Sequence, residues 1–129
     1  MRYARSTAAT AVLLVLVALI VVVGAGITPA SEAATKVKHV TIKDFAFAPQ
    51  TITVKAGTKV TWKNADGAVH QLASTDSMQT TAAITGLFSS SALNQGQSFS
   101  FKFKTKGTFF YECTIHASMA AMHGKVIVK

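Results

Sequence analysis

The chain has 129 residues, with 13 Lys and Arg against five Asp and Glu, four His, four Met and one Cys, and a formal net charge of +8. That length suits a single domain, and one cysteine excludes an internal disulfide framework. No second histidine cluster, paired acid and base carboxylates or nucleophile triad stands out in the sequence, which argues against an enzyme.

The first residues, MRYARST, carry two arginines and lead into Ala8–Ile27, twenty uncharged and almost wholly apolar residues. TPASEAATK follows, with small residues suited to signal peptidase, and the pattern predicts an export segment over residues 1–35. Twenty apolar residues also suffice to cross a bilayer as a helix, so cleavage after Ala30 or Ala33 and retention as an N-terminal membrane anchor both fit it. Under either outcome the basic residues before the span place the following domain, 36–129, outside the cytoplasm. It is expected to be periplasmic or extracellular, soluble or anchored to the outer face of the cytoplasmic membrane. This domain holds eleven lysines and no arginine against Asp44, Asp66, Asp76 and Glu112, a balance of +7. Outside the cell such a charge speaks against nucleic acid and for an acidic partner protein or an anionic membrane face; solubility alone is the plainer reading.

Within the domain the elements read as all-β. Val40–Ile42 and Thr51–Val54 alternate as half-buried strands do, a turn follows at Lys55, Ala56 and Gly57, and Thr58–Trp62 puts Val60 and Trp62 on one face. Asn64, Asp66 and Gly67 break that strand. Residues 71–98, rich in Ser, Thr, Ala and Gln, read as a long connection with room for a short strand or a helical turn, closed by a turn at Asn94, Gln95 and Gly96. SFSFKFKTKG places Phe99, Phe101 and Phe103 on one face and polar residues on the other. TFFYEC then aligns Phe109, Tyr111 and Cys113, and GKVIVK supplies a last strand. Some seven short strands without a long helix predict a two-sheet antiparallel sandwich.

The chemistry concentrates in YECTIHASMAAMHGKVIV, which carries Cys113, His116, Met119 and Met122, and in His70, which follows the NADGAV loop. A thiolate, two imidazoles and a thioether are the donor set of a copper centre in which Cys and two His lie in a trigonal plane and Met sits long on the axis. A lone thiol in an oxidising compartment is a liability unless something occupies it, and metal ligation would occupy Cys113. Cys113 and His116 share one tight loop, and His70 reaches them if its loop lies at the same end of the sandwich. Zinc accepts a Cys and two His as well, but has little use for the thioether. A donor set that suits both Cu(I) and Cu(II) without changing shape points to electron transfer. The alternative is a copper carrier or buffer, which would commonly hold many more Met or His donors in open segments.

Through FAFAPQTITVKAGTKVTWKNADGAVH and GTFFYECTIHASMAAMHGKVIV, essentially residues 36–129, the chain resembles the cupredoxins of the plastocyanin, amicyanin and pseudoazurin type. The resemblance implies a Greek-key β-sandwich, one type 1 (blue) copper, and one-electron shuttling between larger redox proteins by a monomer. It gives His70, Cys113 and His116 the equatorial places. For the axial place two rulers disagree: counted from His116, Met119 has the amicyanin spacing, whereas Met122 stands two residues before Gly124, where the family's axial Met usually precedes the last strand. Met122 is favoured because a strand is the firmer anchor, and Met119 is the alternative. Ile115 and Ala117 stand where the family often has proline, and Gln71 where Asn is common, with Thr114 keeping the other half of that contact. His123 is expected to be exposed, His39 bland, Met78 packing or surface, and Asp66 and Glu112 single surface acids.

Overall fold

In the computed structural model, which describes Gly26 and residues 33–129, the alternating segments become strands. They are β1 (Val37–Lys43), β2 (Ala46–Ala48), β3 (Thr51–Val54), β4 (Thr58–Asn64), β5 (Leu72–Thr75), β6 (Ile84–Ser89), β7 (Ser98–Phe103), β8 (Gly107–Cys113) and β9 (His123–Val128), with one 3-10 turn at Ala120–Met122. Apart from Gly26 and residues 33–35, the expected export or anchor segment lies outside the described residues.

The strands form two sheets, ordered β2-β1-β4-β7 and β3-β9-β8-β5-β6. The expected two-sheet sandwich is present, and among its mostly antiparallel pairs β1 with β4 and β3 with β9 run in parallel. The chain leaves the first sheet after β2, contributes β3 to the second, and re-enters beside β1 running the same way. A parallel neighbour needs such a crossover, and here the opposite sheet supplies it.

Two strands, β5 and β6, lie inside the stretch read as a long connection. Leu72–Thr75 is buried at every position because it runs between β8 and β6, so it shows no alternation. β6 is an edge strand whose residues, Phe88 apart, are exposed, and it carries the opposite disguise.

Val40, Ile42, Val60, Trp62, Leu72, Tyr111 and Val126 have no solvent exposure and form the centre of the core. Trp62, on β4, meets Tyr111, on β8 of the other sheet, edge to face with ring centroids 5.2 Å apart. Such pairs add about 1 kcal/mol to the burial of the rings. This contact locks the strand that leads toward His70 against the strand that ends in Cys113. On β9, Gly124 lies directly opposite Tyr111, and a Cβ there would overlap the phenol ring.

Candidate metal centre

Three segments converge at one end of the sandwich. Cys113 is the last residue of β8, fully buried beneath the sheet. His116 follows in a turn closed by its own N–H to the Cys113 carbonyl, 3.1 Å. His70 arrives from the loop between β4 and β5, where it exchanges backbone hydrogen bonds with Leu93 at 3.1 and 2.7 Å. The donor atoms of His70, Cys113 and His116 all lie within 4.8 Å of one another. Cys113 Sγ stands 3.5 Å from His70 Nδ1 and 3.4 Å from His116 Nδ1.

Those spacings fit one metal ion. With a metal–thiolate bond of about 2.3 Å and a metal–imidazole bond of about 2.0 Å, donors at angles from tetrahedral to trigonal stand about 3.5 to 3.8 Å apart. His70 is wholly buried and His116 partly exposed. Met122, at the end of the 3-10 turn, has no exposure, whereas Met119 is 40 % exposed.

Asp66, expected as a surface acid, is part of the site. Its Oδ2 accepts from His70 Nε2–H at 3.0 Å, which leaves the His70 Nδ1 lone pair facing Cys113. The carboxylate also accepts the backbone N–H of Asp44, 2.6 Å, and of Phe45, 3.1 Å. Both residues have φ near +54°, a left-handed conformation that costs about 1–3 kcal/mol per residue where no glycine is present. The Asp66 contacts offset that cost and hold the Phe45 ring edge-on to both imidazoles, with centroids 5.7 Å from His70 and 5.0 Å from His116. Partial burial works to raise the Asp66 pKa, but the N–H groups of Phe45 and Asp44 and the His70 ring outweigh it and hold the carboxyl below its ordinary range. The loop itself is tied by Asn64, fully buried, whose Nδ2 donates to the carbonyls of Ala68 and Leu93, each at 2.8 Å, and whose Oδ1 accepts the Asp66 N–H at 2.8 Å.

Two further expectations are overturned. His123 has no exposure: extended backbone does turn it away from Met122, but that face of β9 is covered by the ligand loop, and His123 Nε2–H donates to the Ala117 carbonyl at 2.7 Å. Glu112 is buried as well, directly opposite His123 in the β8–β9 pair. Burial pushes its carboxyl up, against the opposing pull of His123. The link between the first histidine's strand and the cysteine loop survives without asparagine: the Thr114 N–H donates to the Gln71 backbone carbonyl at 2.8 Å, while the Gln71 side chain turns to the Ser90 carbonyl. His39, read as bland, is exposed on β1. Asp66 had a signal in sequence, an acid four residues before a candidate ligand histidine, a spacing at which a carboxylate can hold the far nitrogen. Glu112 and His123 had none, because the covering loop is a tertiary feature.

A two-sheet β-sandwich with a buried cysteine and two histidines gathered at one end defines a cupredoxin metal centre. Residues 33–129 match the model of the family described as copper binding proteins, plastocyanin/azurin family. The chain is 38% identical over 85 residues to plastocyanin of Scenedesmus fuscus, covering 64% of this chain and 86% of that protein. It is 39% identical over 85 residues to chloroplastic plastocyanin of Tetradesmus obliquus, a match spanning 64% of this chain and 58% of that relative's length. Among solved structures, a purple cupredoxin from Nitrosopumilus maritimus superposes with a TM-score of 0.62 at 27% identity, covering 70% of this chain and 98% of that one. A reduced amicyanin variant superposes with a TM-score of 0.59 at 26% identity, covering 76% and 87%. The chain belongs to the plastocyanin/azurin family of copper-binding proteins, and its His70, Cys113 and His116 site fits a single copper ion.

Proposed function

We propose that the protein is an exported one-electron carrier whose copper is held by His70, Cys113 and His116, with Met122 as the weak axial donor. The observation that carries this reading is the spacing of the three donors, which is that of ligands around one ion. Copper would supply a Cu(I)/Cu(II) couple to which thiolate, imidazole and thioether are all suited. The residues supply rigidity: Asp66 fixes the His70 ring, Thr114 ties the cysteine loop to Gln71, and the Trp62–Tyr111 contact sets β8. A site that need not move when its charge changes has little reorganisation to overcome. Full burial of Met122 against the exposure of Met119 supports Met122 as the axial donor.

The partly exposed His116 provides the electron's way out, beside the exposed apolar side chain of Phe45 and within a loop that also exposes Ile115 and Met119. The lysine-rich domain favours redox partners with acidic surfaces, and residues 1–35 carry the domain out of the cytoplasm as a cleaved signal or a retained anchor. The test is the visible and EPR spectrum of residues 36–129 loaded with Cu(II) and titrated with a mild reductant. Intense thiolate-to-copper absorption that bleaches and returns reversibly, and is absent in Cys113→Ser, is the expected result. Bound metal without colour in the wild-type domain would leave a copper buffer or a zinc site instead.

A further inference from the structure

The ligand loop has no proline at 115 or 117, and side chains from outside it hold its shape. Within the loop, three N–H groups close successive turns: His116 to the Cys113 carbonyl at 3.1 Å, Met119 to His116 at 3.0 Å, and Met122 to Met119 at 2.9 Å. Side chains from outside the loop hold two further carbonyls, that of Ala120 being shared with the His123 backbone N–H. The buried His123 ring donates from Nε2 to the Ala117 carbonyl at 2.7 Å, one residue beyond the ligand His116. Gln50, exposed on the turn before β3, donates from Nε2 to the Ala120 carbonyl at 3.0 Å and to the His123 carbonyl at 2.8 Å. Its own carbonyl accepts the Lys125 N–H at 3.0 Å, which anchors it to β9.

We propose that His123, seconded by Gln50, is a positioning residue that holds the ligand loop in its metal-binding shape before the metal arrives; the purpose of that shape rests on the copper reading above. A histidine at this place would be a poor choice for packing alone. Its Nδ1 and the Glu112 Oε2 face each other at 3.6 Å, too far for a hydrogen bond, and neither meets another partner among the described residues. Buried polar atoms left in that state carry a desolvation cost. An apolar side chain of similar volume would avoid the cost at His123 but would leave the Ala117 carbonyl without its donor. The imidazole therefore serves the loop rather than the core. It acts on His116 through the adjoining peptide, and on the Met122 end through the strand it begins.

The experiment compares wild type, His123→Leu, His123→Gln and Gln50→Ala by amide hydrogen exchange in the metal-free protein, then by the EPR spectrum after Cu(II) loading. Gln places an amide nitrogen near the position of imidazole Nε2, so it restores the donor, and Gln50→Ala removes the outer ties without touching the core. Losing one such hydrogen bond is expected to speed exchange at the Met119 and Met122 amides about tenfold in His123→Leu and Gln50→Ala. The amides of Val60 and Phe101 should hold their rates, and His123→Gln should stay near wild type. The loaded His123→Leu protein should show a broadened or split EPR signal that His123→Gln restores. Unchanged loop exchange in both His123→Leu and Gln50→Ala, or acceleration shared equally by Val60 and Phe101, overturns the proposal. The exchange data judge the loop without metal, whereas a colourless loaded wild type would remove the copper reading alone.

Discussion

Asp66 serves two neighbours with one carboxylate, orienting His70 and stabilising the left-handed Asp44–Phe45 turn that sets an aromatic ring against both imidazoles. Asp66→Asn removes the charge, which favours the more highly charged metal, together with one of the two acceptor oxygens. Copper(II) affinity should fall by about tenfold or more, with the reduction potential rising, as competition titration and voltammetry would record. At the axial position, Met122→Ala should shift potential and spectrum more than Met119→Ala does, since only Met122 is buried; the reverse order would transfer the axial role to Met119. The candidate donors Cys113 and His116 were legible in sequence because donor chemistry and close spacing are local properties, and distant His70 because it completes the donor set that the resemblance implies. Asn64 and His123 were not legible, because what they bind is backbone brought to them by the fold.

Among the elements, β8 and β9 flank the loop that bears His116 and Met122, and they meet closely at Gly124 and Tyr111. Gly124→Ala forces a methyl group into the Tyr111 ring, and overpacking of this kind costs about 2–3 kcal/mol, to be measured as a lowered denaturation midpoint. Burial pushes the Tyr111 phenol from 10.0 up to about 12; the nearby Trp62 N–H, which does not meet hydrogen-bonding geometry, offsets this only in part. The unfolded chain therefore gives up its phenolic proton first. The stability that the neutral phenol contributes is whole below pH 10 and is lost as pH climbs through 12, about 3 kcal/mol in all. Tyr111→Phe should flatten that part of the pH–stability curve relative to wild type. The strands with clean alternation, β3, β4 and β7, are legible in the residue pattern alone. β5 and β6 escaped because one is buried on both faces and the other is a solvent-facing edge, and the parallel pairings escaped because hydrophobic patterning records which face is inward, not which strand lies alongside.

At the scale of the molecule, eleven lysines against four acids in residues 36–129 make long-range attraction to an acidic partner the expected route of encounter. Stopped-flow electron transfer with an acidic redox protein should slow by about tenfold or more between low and high salt, and a basic partner should show the opposite trend. The architecture also controls when the site can exist. His70 and Cys113 are 43 residues apart in the chain, and the loop bearing His116 is closed by β9, which lies inside its sheet between β3 and β8. A partly folded chain therefore offers copper a cysteine and a histidine three residues apart, but not the enclosed trio. Tight metal capture has to wait for the sandwich to close, so loading belongs to the compartment where folding finishes. In a refolding experiment the copper chromophore would then serve as the chain's own stopwatch, appearing only when the two sheets have come together.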